Sequence, residues 1–322
     1  MNRRNFLKSA AGAAAAMAFA PRVAAQSHID RFHAVEWRAR RRFAVTQYGS
    51  IAYVESGRGD PALFLHGYPL NGFQWRGAFE QLELFYRCIA PDFIGLGATE
   101  AAPGQDLAPL SQAAMILALL DVLRVGSVHI VANDSGGAVA QLLAVMHPHR
   151  VRSLILTNCD TERQSPPPAL LPVIDLAKKG RFADEWLAPW LADGDRARAP
   201  DQFGGMCYAY PANPSDDALE MYFGPLLATE VRRRQVEAHV IAQERNALVG
   251  ITPKLKRCPV PTRIVWGMAD TIFDASNADY LDDAFGNSRN VRRLEKSKLF
   301  WPEERPEVIA EEADTLWRSL RL

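Results

Sequence analysis

Short apolar runs alternate with longer helical stretches through the middle of this chain, and this alternation limits its fold more than any other feature. Continuous runs of Val, Ile and Leu are typical of strands buried on both faces, which occur in parallel sheets covered by helices. The sequence therefore predicts an α/β fold whose functional groups lie at the carboxyl edge of the sheet. The predicted strands cover residues 62–65, 88–91, 128–131 and 154–156, and the predicted helices cover 72–85, 110–123 and 136–146.

A hairpin is predicted before this region, and an insertion is predicted after it. Two strand-like runs, 43–47 and 51–55, flank Tyr48-Gly49-Ser50. Further on, Ser165-Pro166-Pro167-Pro168 opens a segment of helical patches with Pro and Gly breaks, which predicts a lid over residues 164–250. The core is predicted to comprise residues 26–163 and 251–322, with later strands at 263–266 and 290–294 and helices at 276–285 and 306–320.

The first 25 residues differ in kind from the rest of the chain. Adjacent Arg3 and Arg4 precede Phe-Leu-Lys, an Ala-rich apolar run from Ala10 to Ala20, and the small-residue site Val23-Ala24-Ala25. This segment resembles a twin-arginine export signal and is too short to span a bilayer comfortably. The resemblance implies recognition by the twin-arginine export machinery, export of the folded chain, cleavage near Gln26 and a location in the bacterial periplasm.

Charge and cysteine content narrow the function classes. The 322 residues include 37 Lys and Arg and 37 Asp and Glu, a balance that indicates neither a nucleic-acid partner nor a membrane partner after signal cleavage. The four cysteines have no metal-ligand spacing, and the sequence indicates no metal and no cofactor. An oxidising compartment allows a disulfide, but buried free thiols are the preferred interpretation. The cysteines are Cys88, Cys159, Cys207 and Cys258.

Three motifs come directly after predicted strands, where backbone N–H groups point into a crevice. They are His66-Gly67-Tyr68-Pro69, the segment Asp92 to Gly97, and the segment Val131 to Gly137. In order and spacing they resemble the α/β-hydrolase superfamily over nearly the whole chain after the signal. The resemblance implies an α/β-hydrolase fold with a helical lid over an apolar pocket, and a structural role for His66 in bracing its loop.

Within the third motif, the family pattern is small-x-nucleophile-x-small-small. Aligning Gly136 and Gly137 with the two small residues puts Asp134 at the nucleophile, whereas sliding the frame by one residue makes Ser135 the nucleophile of a serine esterase. An Asp at this point resembles the dehalogenase and epoxide-hydrolase branch, in which a carboxylate attacks carbon and water cleaves the resulting ester. The resemblance implies an oxyanion hole made by the backbone N–H groups of Tyr68 and Ser135.

The supporting acid and the base are less well determined. Asp270 occupies the commoner position of the acid in this superfamily and is preferred, and Asp160 occupies the other position. The position of the family's catalytic histidine holds Leu299, and no histidine follows His239. A base positioned for water attack contributes about 10²- to 10⁴-fold in rate. The candidate surrogates are Lys296, Lys298 and His239, or Asp270 acting on water directly.

These residues lead to a hydrolase hypothesis with two alternatives. The lid tyrosines Tyr208, Tyr210 and Tyr222 are candidates to line the pocket and to protonate the oxygen of an epoxide. The sequence thus predicts hydrolysis of a small apolar ester, epoxide or related substrate through a covalent intermediate. Because Leu299 replaces the expected base, a non-catalytic small-molecule binder of the same fold stays open, as does the serine esterase.

Overall fold

An eight-stranded sheet forms the centre of the protein in a computed structural model, which describes residues 33–210 and 212–320. The strand order is β1-β2-β4-β3-β5-β6-β7-β8; the β1–β2 and β2–β4 pairs are antiparallel, and the other pairs are parallel. This confirms the predicted α/β fold. The strands are β1 (Arg41–Thr46), β2 (Gly49–Ser56), β3 (Asp60–Leu65), β4 (Tyr86–Pro91), β5 (Val128–Asp134), β6 (Val151–Cys159), β7 (Thr262–Gly267) and β8 (Ser288–Leu294).

Helices connect the parallel strands and pack in two groups. Helix α1 (Arg76–Leu82) contacts α13 (Pro306–Ser319), and α2 (Pro109–Val122) contacts α3 (Ser135–Met146). Residues 33–40 are also helical. The remaining helices are α4 (Leu171–Lys178), α5 (Ala188–Ala192), α6 (Gly194–Ala197), α7 (Phe203–Cys207), α8 (Asp216–Leu227), α9 (Glu230–Ile241), α10 (Thr252–Leu255), α11 (Ser276–Ala284) and α12 (Trp301–Glu304).

The lid is a helical insertion between β6 and β7. The chain leaves the sheet after Cys159 and returns at Thr262, and helices α4 to α9 lie between these points, within the range predicted for the lid, 164–250. Helix α9 packs against α4 and α8, so the lid helices contact one another as well as the core. The predicted signal peptide, residues 1–25, lies outside the described residues.

The apolar pattern that predicted the strands corresponds to complete burial. All seven residues of β5 are buried, which explains why the strand is mostly apolar up to Ala132, with His129 as the exception. The four cysteines are buried and free, and for Cys88 and Cys159 this agrees with their positions in apolar runs. Among the described residues, no helix is both long enough and apolar enough to cross a membrane.

The predicted helix 72–85 is shorter in the structure. A 3₁₀ turn, Gly72–Trp75, comes first, because the Asn71 side chain accepts the Phe73 N–H and caps this turn. Helix α1 then ends at Leu82. Leu84 and Phe85 extended the apolar pattern in the sequence, but their side chains are exposed.

Candidate active site

Asp134 lies at the sharp turn between β5 and α3. It is the last residue of the strand and the N-cap of the helix, with φ 55° and ψ −133°. A positive φ is uncommon for a residue with a side chain and marks backbone strain of the kind found at functional sites. Ser135 is the first residue of α3 and its side chain is buried, so the elbow geometry favours the frame with Asp134 as the nucleophile.

Glycines around the turn allow three segments to approach one another closely. A Cβ atom at Gly136 would lie 2.7 Å from the His66 carbonyl oxygen, and one at Gly137 would collide with Cys159. A Cβ atom at Gly67 would lie 2.6 Å from Cβ of Asp134. The small residues of the motif are therefore required by the packing of α3 against the ends of β3 and β6.

Two backbone N–H groups converge on one oxygen of Asp134. The Tyr68 N–H donates to Oδ1 at 3.1 Å, and the Ser135 N–H donates to the same atom at 2.5 Å. His66 accepts the Phe93 N–H at its Nε2 and contacts the Gly67 carbonyl through Nδ1, and it thereby braces the loop that presents Tyr68. These are the two amides that the sequence assigned to an oxyanion hole.

Three buried carboxyl groups are close enough that the charge of Asp134 acts on the other two. Burial raises the pKa of Asp134 to about 6, against the opposing effect of the Tyr68 and Ser135 amides. Burial and the charge of Asp134 raise the pKa of Asp160 to about 8, and burial raises that of Asp270 to about 7. Within residues 33–210 and 212–320, no group of three or more His, Cys, Asp and Glu residues could hold a metal ion.

An apolar cavity of about 100 Å³ lies between the lid and the carboxyl edge of the sheet. Its lid wall includes the side chains of Phe182, Trp186 and Trp190, and its polar lining includes Asp134 and Asp160. An apolar, aromatic lining with a few polar groups is typical of small-molecule sites. The arrangement gives a small apolar molecule direct access to the Asp134 carboxyl group.

Leu299 faces this cavity at the position where the family has its histidine. Its side chain is 2% exposed, and its carbonyl oxygen accepts a hydrogen bond from Asn133 at 3.1 Å. The loop is therefore held at the site by its backbone, while its side chain contributes an apolar surface. No ionisable group reaches the cavity from this position in the described structure.

The predicted surrogate bases lie elsewhere, and the structure does not support them. The described residues that line the cavity exclude Lys296, Lys298 and His239. Lys296 is exposed, and Lys298 donates at 2.5 Å to the carbonyl of Gly205 in the lid helix α7. His239 is buried, its Nδ1 donates to the Ile94 carbonyl, and burial lowers its pKa to about 4. Solvation accounts for the position of Lys296, a contact with the lid for that of Lys298, and a contact with the core for that of His239.

The two candidate acids have different surroundings. Asp270 accepts the Asn158 side-chain amide at 2.9 Å through one oxygen and the Ile272 N–H at 2.9 Å through the other. It is absent from the described cavity lining, whereas Asp160 is part of it. The preference for Asp270 rested on its place at the commoner position of the acid in this superfamily, and it stays a prediction. Of the two acids, Asp160 is the one that shares the cavity with Asp134.

The three lid tyrosines do not line the described cavity, contrary to the prediction. The hydroxyls of Tyr208 and Tyr222 each donate to the buried carboxylate of Glu303 at 2.7 Å, and Arg76 pairs with the same carboxylate at 2.6 Å. Tyr210 is exposed. We refer to Arg76, Tyr208, Tyr222 and Glu303 as the lid latch, because they join lid and core through a buried charge. That charge, supplied by a distant helix, is the physical reason that the hydroxyls are turned away from the cavity.

Sequence reasoning missed two residues of the site. Asn133 joins Gln74, Thr157 and the Leu299 carbonyl through its side chain, and so links β5 to the Leu299 loop. A polar residue inside a buried run was the available signal. Gln243 lines the cavity from the lid and is buried, but an isolated lid glutamine has no sequence pattern that would single it out.

Comparison with known proteins agrees with this fold. The α/β hydrolase fold family matches residues 60–297, and the twin-arginine translocation signal family matches residues 1–20. A haloalkane dehalogenase of Mesorhizobium japonicum is 40% identical over 106 residues, which are 33% of this chain and 34% of that protein. An epoxide hydrolase of Caballeronia sordidicola is 34% identical over 107 residues, which are 33% of this chain and 32% of that protein.

The curated relatives match over a limited length, and a solved structure matches over most of the chain. The chain spans about a third of the length of these curated relatives. An α/β hydrolase fold protein from Burkholderia ambifaria superposes with a TM-score of 0.73 at 22% identity, covering 85% of this chain and 96% of the other. At this identity the likeness concerns the fold.

Proposed function

The chain belongs to the α/β hydrolase fold family, and we propose that it is a hydrolase that acts on a small apolar substrate through a covalent ester at Asp134. The observation that carries this proposal is the convergence of the Tyr68 and Ser135 N–H groups on Oδ1 of Asp134 beside an apolar cavity. When Oδ2 attacks a substrate carbon, Oδ1 becomes the carbonyl oxygen of the ester. It then already lies in the position where preorganised donors stabilise the negative charge of ester hydrolysis.

The cavity supports an apolar substrate with one electrophilic carbon. Its wall is mostly aromatic and aliphatic, and the Asp134 carboxyl group is available to that carbon. Epoxides, esters and haloalkanes meet this description, and relatives of this chain include an epoxide hydrolase and a haloalkane dehalogenase. Haloalkanes fit less well, because the dehalogenase branch binds the halide with a tryptophan directly after the nucleophile and often an asparagine after His-Gly. This chain has Ser135 and Tyr68 at these two positions. We therefore favour a substrate whose leaving atom is oxygen.

Export is part of the proposal. The twin-arginine signal match over residues 1–20 supports recognition by that export machinery, removal of residues 1–25 and a periplasmic site of action for residues 26–322. The helical segment 164–250 then acts as the lid and the remainder as the core. Export in the folded state is compatible with the buried free cysteines, which need no oxidation to complete the fold.

Incubation of the purified protein with panels of epoxides, esters and haloalkanes tests the proposal. We expect product formation, and a mass increase that maps to Asp134 when the reaction is quenched early. The matched control is Asp134→Asn, which keeps the size of the side chain but removes the nucleophile and should abolish the adduct. A fluorophosphonate adduct at Ser135 would instead favour the serine esterase.

A second candidate, a non-catalytic small-molecule binder, is favoured by the apolar side chain of Leu299 at the position of the base. A binder would gain thermal stability from cavity ligands, because a ligand that binds only the folded state stabilises it. It would form no adduct at Asp134 and would release no product. Ligand-induced stabilisation without chemistry on any of the three panels would replace the hydrolase proposal with this one.

A further inference from the structure

We propose that Asp160 is both the acid and the base of the reaction at Asp134, and that the substrate is an epoxide. In this scheme Asp160 protonates the epoxide oxygen while Asp134 attacks carbon, and it later accepts a proton from the water that cleaves the ester. The inference rests on the proposed function. It starts from one juxtaposition: Asp134 and Asp160 are 8% and 4% exposed, line the same cavity, and share it with Leu299 where a histidine would otherwise serve.

The backbone holds Asp160 in a fixed relation to the elbow. Gln141 of α3 donates to the Asp160 carbonyl at 2.8 Å and to the Gly137 carbonyl at 3.0 Å. Helix α3 begins directly after Asp134, so the same helix holds the backbone of both residues. The Asp160 carboxyl group accepts hydrogen bonds from Ser165 and from its own N–H within the cavity lining, whereas Asp270 binds Asn158 and Ile272 away from the described lining.

The electrostatics of the cavity give Asp160 the required proton at neutral pH. Burial and the charge of Asp134 raise the pKa of Asp160 to about 8, while that of Asp134 is about 6, so Asp160 is the protonated member and Asp134 the ionised one. Tyr68 and Cys207 are the other titratable side chains of the described lining, and burial raises the pKa of both, which keeps them neutral. The Asp134 carboxylate is therefore the charged group of the described cavity lining that raises the pKa of Asp160.

Formation of the ester reverses the role of Asp160. The esterified Asp134 carries no charge, so its contribution to the raised pKa of Asp160 disappears, and Asp160 holds a proton less tightly. Asp160, which gave up its proton in the first step, thus stays ionised, the state in which it can accept a proton from water in the second. Retaining glycosidases use two carboxyl groups in the same sense, one as nucleophile and the other as acid and then base.

The steps balance with water as the co-substrate. The bond from Oδ2 of Asp134 to carbon forms as the epoxide C–O bond breaks, and the released oxygen takes the proton of Asp160. Asp160 then accepts a proton from water, whose oxygen adds to Cγ of Asp134, and the charge develops on Oδ1 between the two amides. When the tetrahedral intermediate collapses, the bond between Cγ and Oδ2 breaks. This releases the second alkoxide, which takes the proton from Asp160. The remaining proton moves from Asp134 to Asp160, and the net result is an epoxide plus water giving a diol.

Two probes with different leaving groups test the assignment. Opening of 1,2-epoxyhexane needs a proton donor, whereas 1-bromohexane releases bromide without one. For Asp160→Asn, which keeps the shape and the backbone contacts of residue 160, we expect adduct formation from the epoxide to fall by about 10²- to 10⁴-fold. The adduct from bromohexane should form within a few-fold of the wild-type rate and then persist. The control, Asp270→Asn, should open the epoxide far faster than Asp160→Asn does.

The pH profile provides a readout that a structural role would not alter. In the wild type, epoxide opening should rise through about pH 6 as Asp134 ionises and fall through about pH 8 as Asp160 loses its proton. Alkylation by bromohexane should show only the rise. Asp160→Glu should restore part of the epoxide rate, which separates loss of the acid from loss of the fold.

The outcomes separate this inference from the function on which it rests. If the wild type forms no Asp134 adduct with either probe, the proposed function itself is wrong. If the wild type reacts with the epoxide and Asp160→Asn reacts equally fast, Asp134 remains the nucleophile but the role of Asp160 is wrong. A loss of epoxide opening in Asp270→Asn, with Asp160→Asn unaffected, would assign the acid to Asp270.

Discussion

Leu299 determines the electrostatic character of the cavity at the residue scale. An imidazole at this position could carry a positive charge beside the Asp134 and Asp160 carboxyl groups, and a nearby opposite charge lowers the pKa of a carboxyl group. Leucine supplies only apolar surface, so burial dominates and the pKa values of both carboxyl groups are raised. In the proposed mechanism, leucine in place of the family's histidine thus accounts both for the absence of an imidazole base and for the raised pKa of Asp160.

Leu299→His should speed up hydrolysis of the ester and slow down opening of the epoxide. The new imidazole can act as a base, so we expect the ester formed with 1-bromohexane to be hydrolysed at least tenfold faster than in the wild type, within the usual range for a positioned base. Its positive charge should also lower the pKa of Asp160 and slow the opening of 1,2-epoxyhexane at pH 7. Quenched-flow mass spectrometry measures both steps.

The matched control for this variant is Leu299→Gln, which is polar but cannot act as a base near neutral pH. It should give no such acceleration of ester hydrolysis. An unchanged ester lifetime in Leu299→His would mean that residue 299 does not reach the scissile carbonyl, and the structural position of this loop relative to Asp134 would be wrong.

The sharp turn that carries Asp134 was predictable from sequence because its constraints are local. Gly136 and Gly137 fix the frame of the motif, since any side chain there collides with the ends of neighbouring strands. The lid tyrosines were not predictable, because their hydroxyls bind Glu303, about 80 to 95 residues away in the chain. A spacing rule identifies a turn, but it cannot identify which distant charge competes for a hydroxyl group.

At the scale of elements, the lid latch is a buried polar connection between lid and core. Arg76 of α1 and Glu303 of α12 belong to the core, and Tyr208 and Tyr222 belong to the lid segment. The next residue, Glu304, accepts the N–H groups of Ala209 and Tyr210, so α12 holds the lid by two consecutive carboxylates. The short helix that follows the Leu299 loop therefore couples the position of the lid to that of the active-site loop.

Glu303→Gln should loosen the lid and destabilise the fold. It removes the negative charge that pairs with the buried Arg76 guanidinium at 2.6 Å, and breaking a buried ion pair typically costs about 3–5 kcal/mol. We expect a lower free energy of unfolding in urea and faster limited proteolysis within residues 164–250. Glu307→Gln is the control, because Glu307 is an exposed partner of Arg305 and such pairs contribute about 0–1 kcal/mol. Equal lid cleavage in the two variants would contradict the latch.

The positions of the strands and core helices could be predicted closely from the periodicity of apolar residues, whereas the internal arrangement of the lid could not. The buried strands are short continuous apolar runs, and the parallel sheet requires each of them to be covered on both faces. The lid contains short helices such as α5, α6 and α7, of four or five residues each, which are too short to establish a period. Its internal arrangement depends on packing over the cavity, which no local pattern encodes.

For the whole molecule, the buried carboxyl groups make stability depend on pH in a definite direction. The pKa values of Asp134, Asp270 and Asp160 in the folded state are about 6, 7 and 8, above the ordinary Asp value of about 3.9. The folded state therefore binds these protons more tightly than the unfolded state. Their contribution to stability is complete below about pH 4 and is lost as pH rises through the folded values.

Asp160→Asn should consequently stabilise the protein more at pH 9 than at pH 5. At pH 5 Asp160 is protonated and neutral like the asparagine, whereas at pH 9 the wild type holds a buried carboxylate that the variant lacks. A shift of one pKa unit corresponds to about 1.4 kcal/mol, so the difference in Tm between variant and wild type should grow by on the order of 5 °C between the two pH values. Asp274→Asn is the control, since the neighbouring Ser276 lowers the pKa of this exposed carboxyl group and it stays ionised at both pH values. An equal change in Tm at pH 5 and pH 9 for Asp160→Asn would mean that residue 160 is not the protonated carboxyl group on which the mechanism depends.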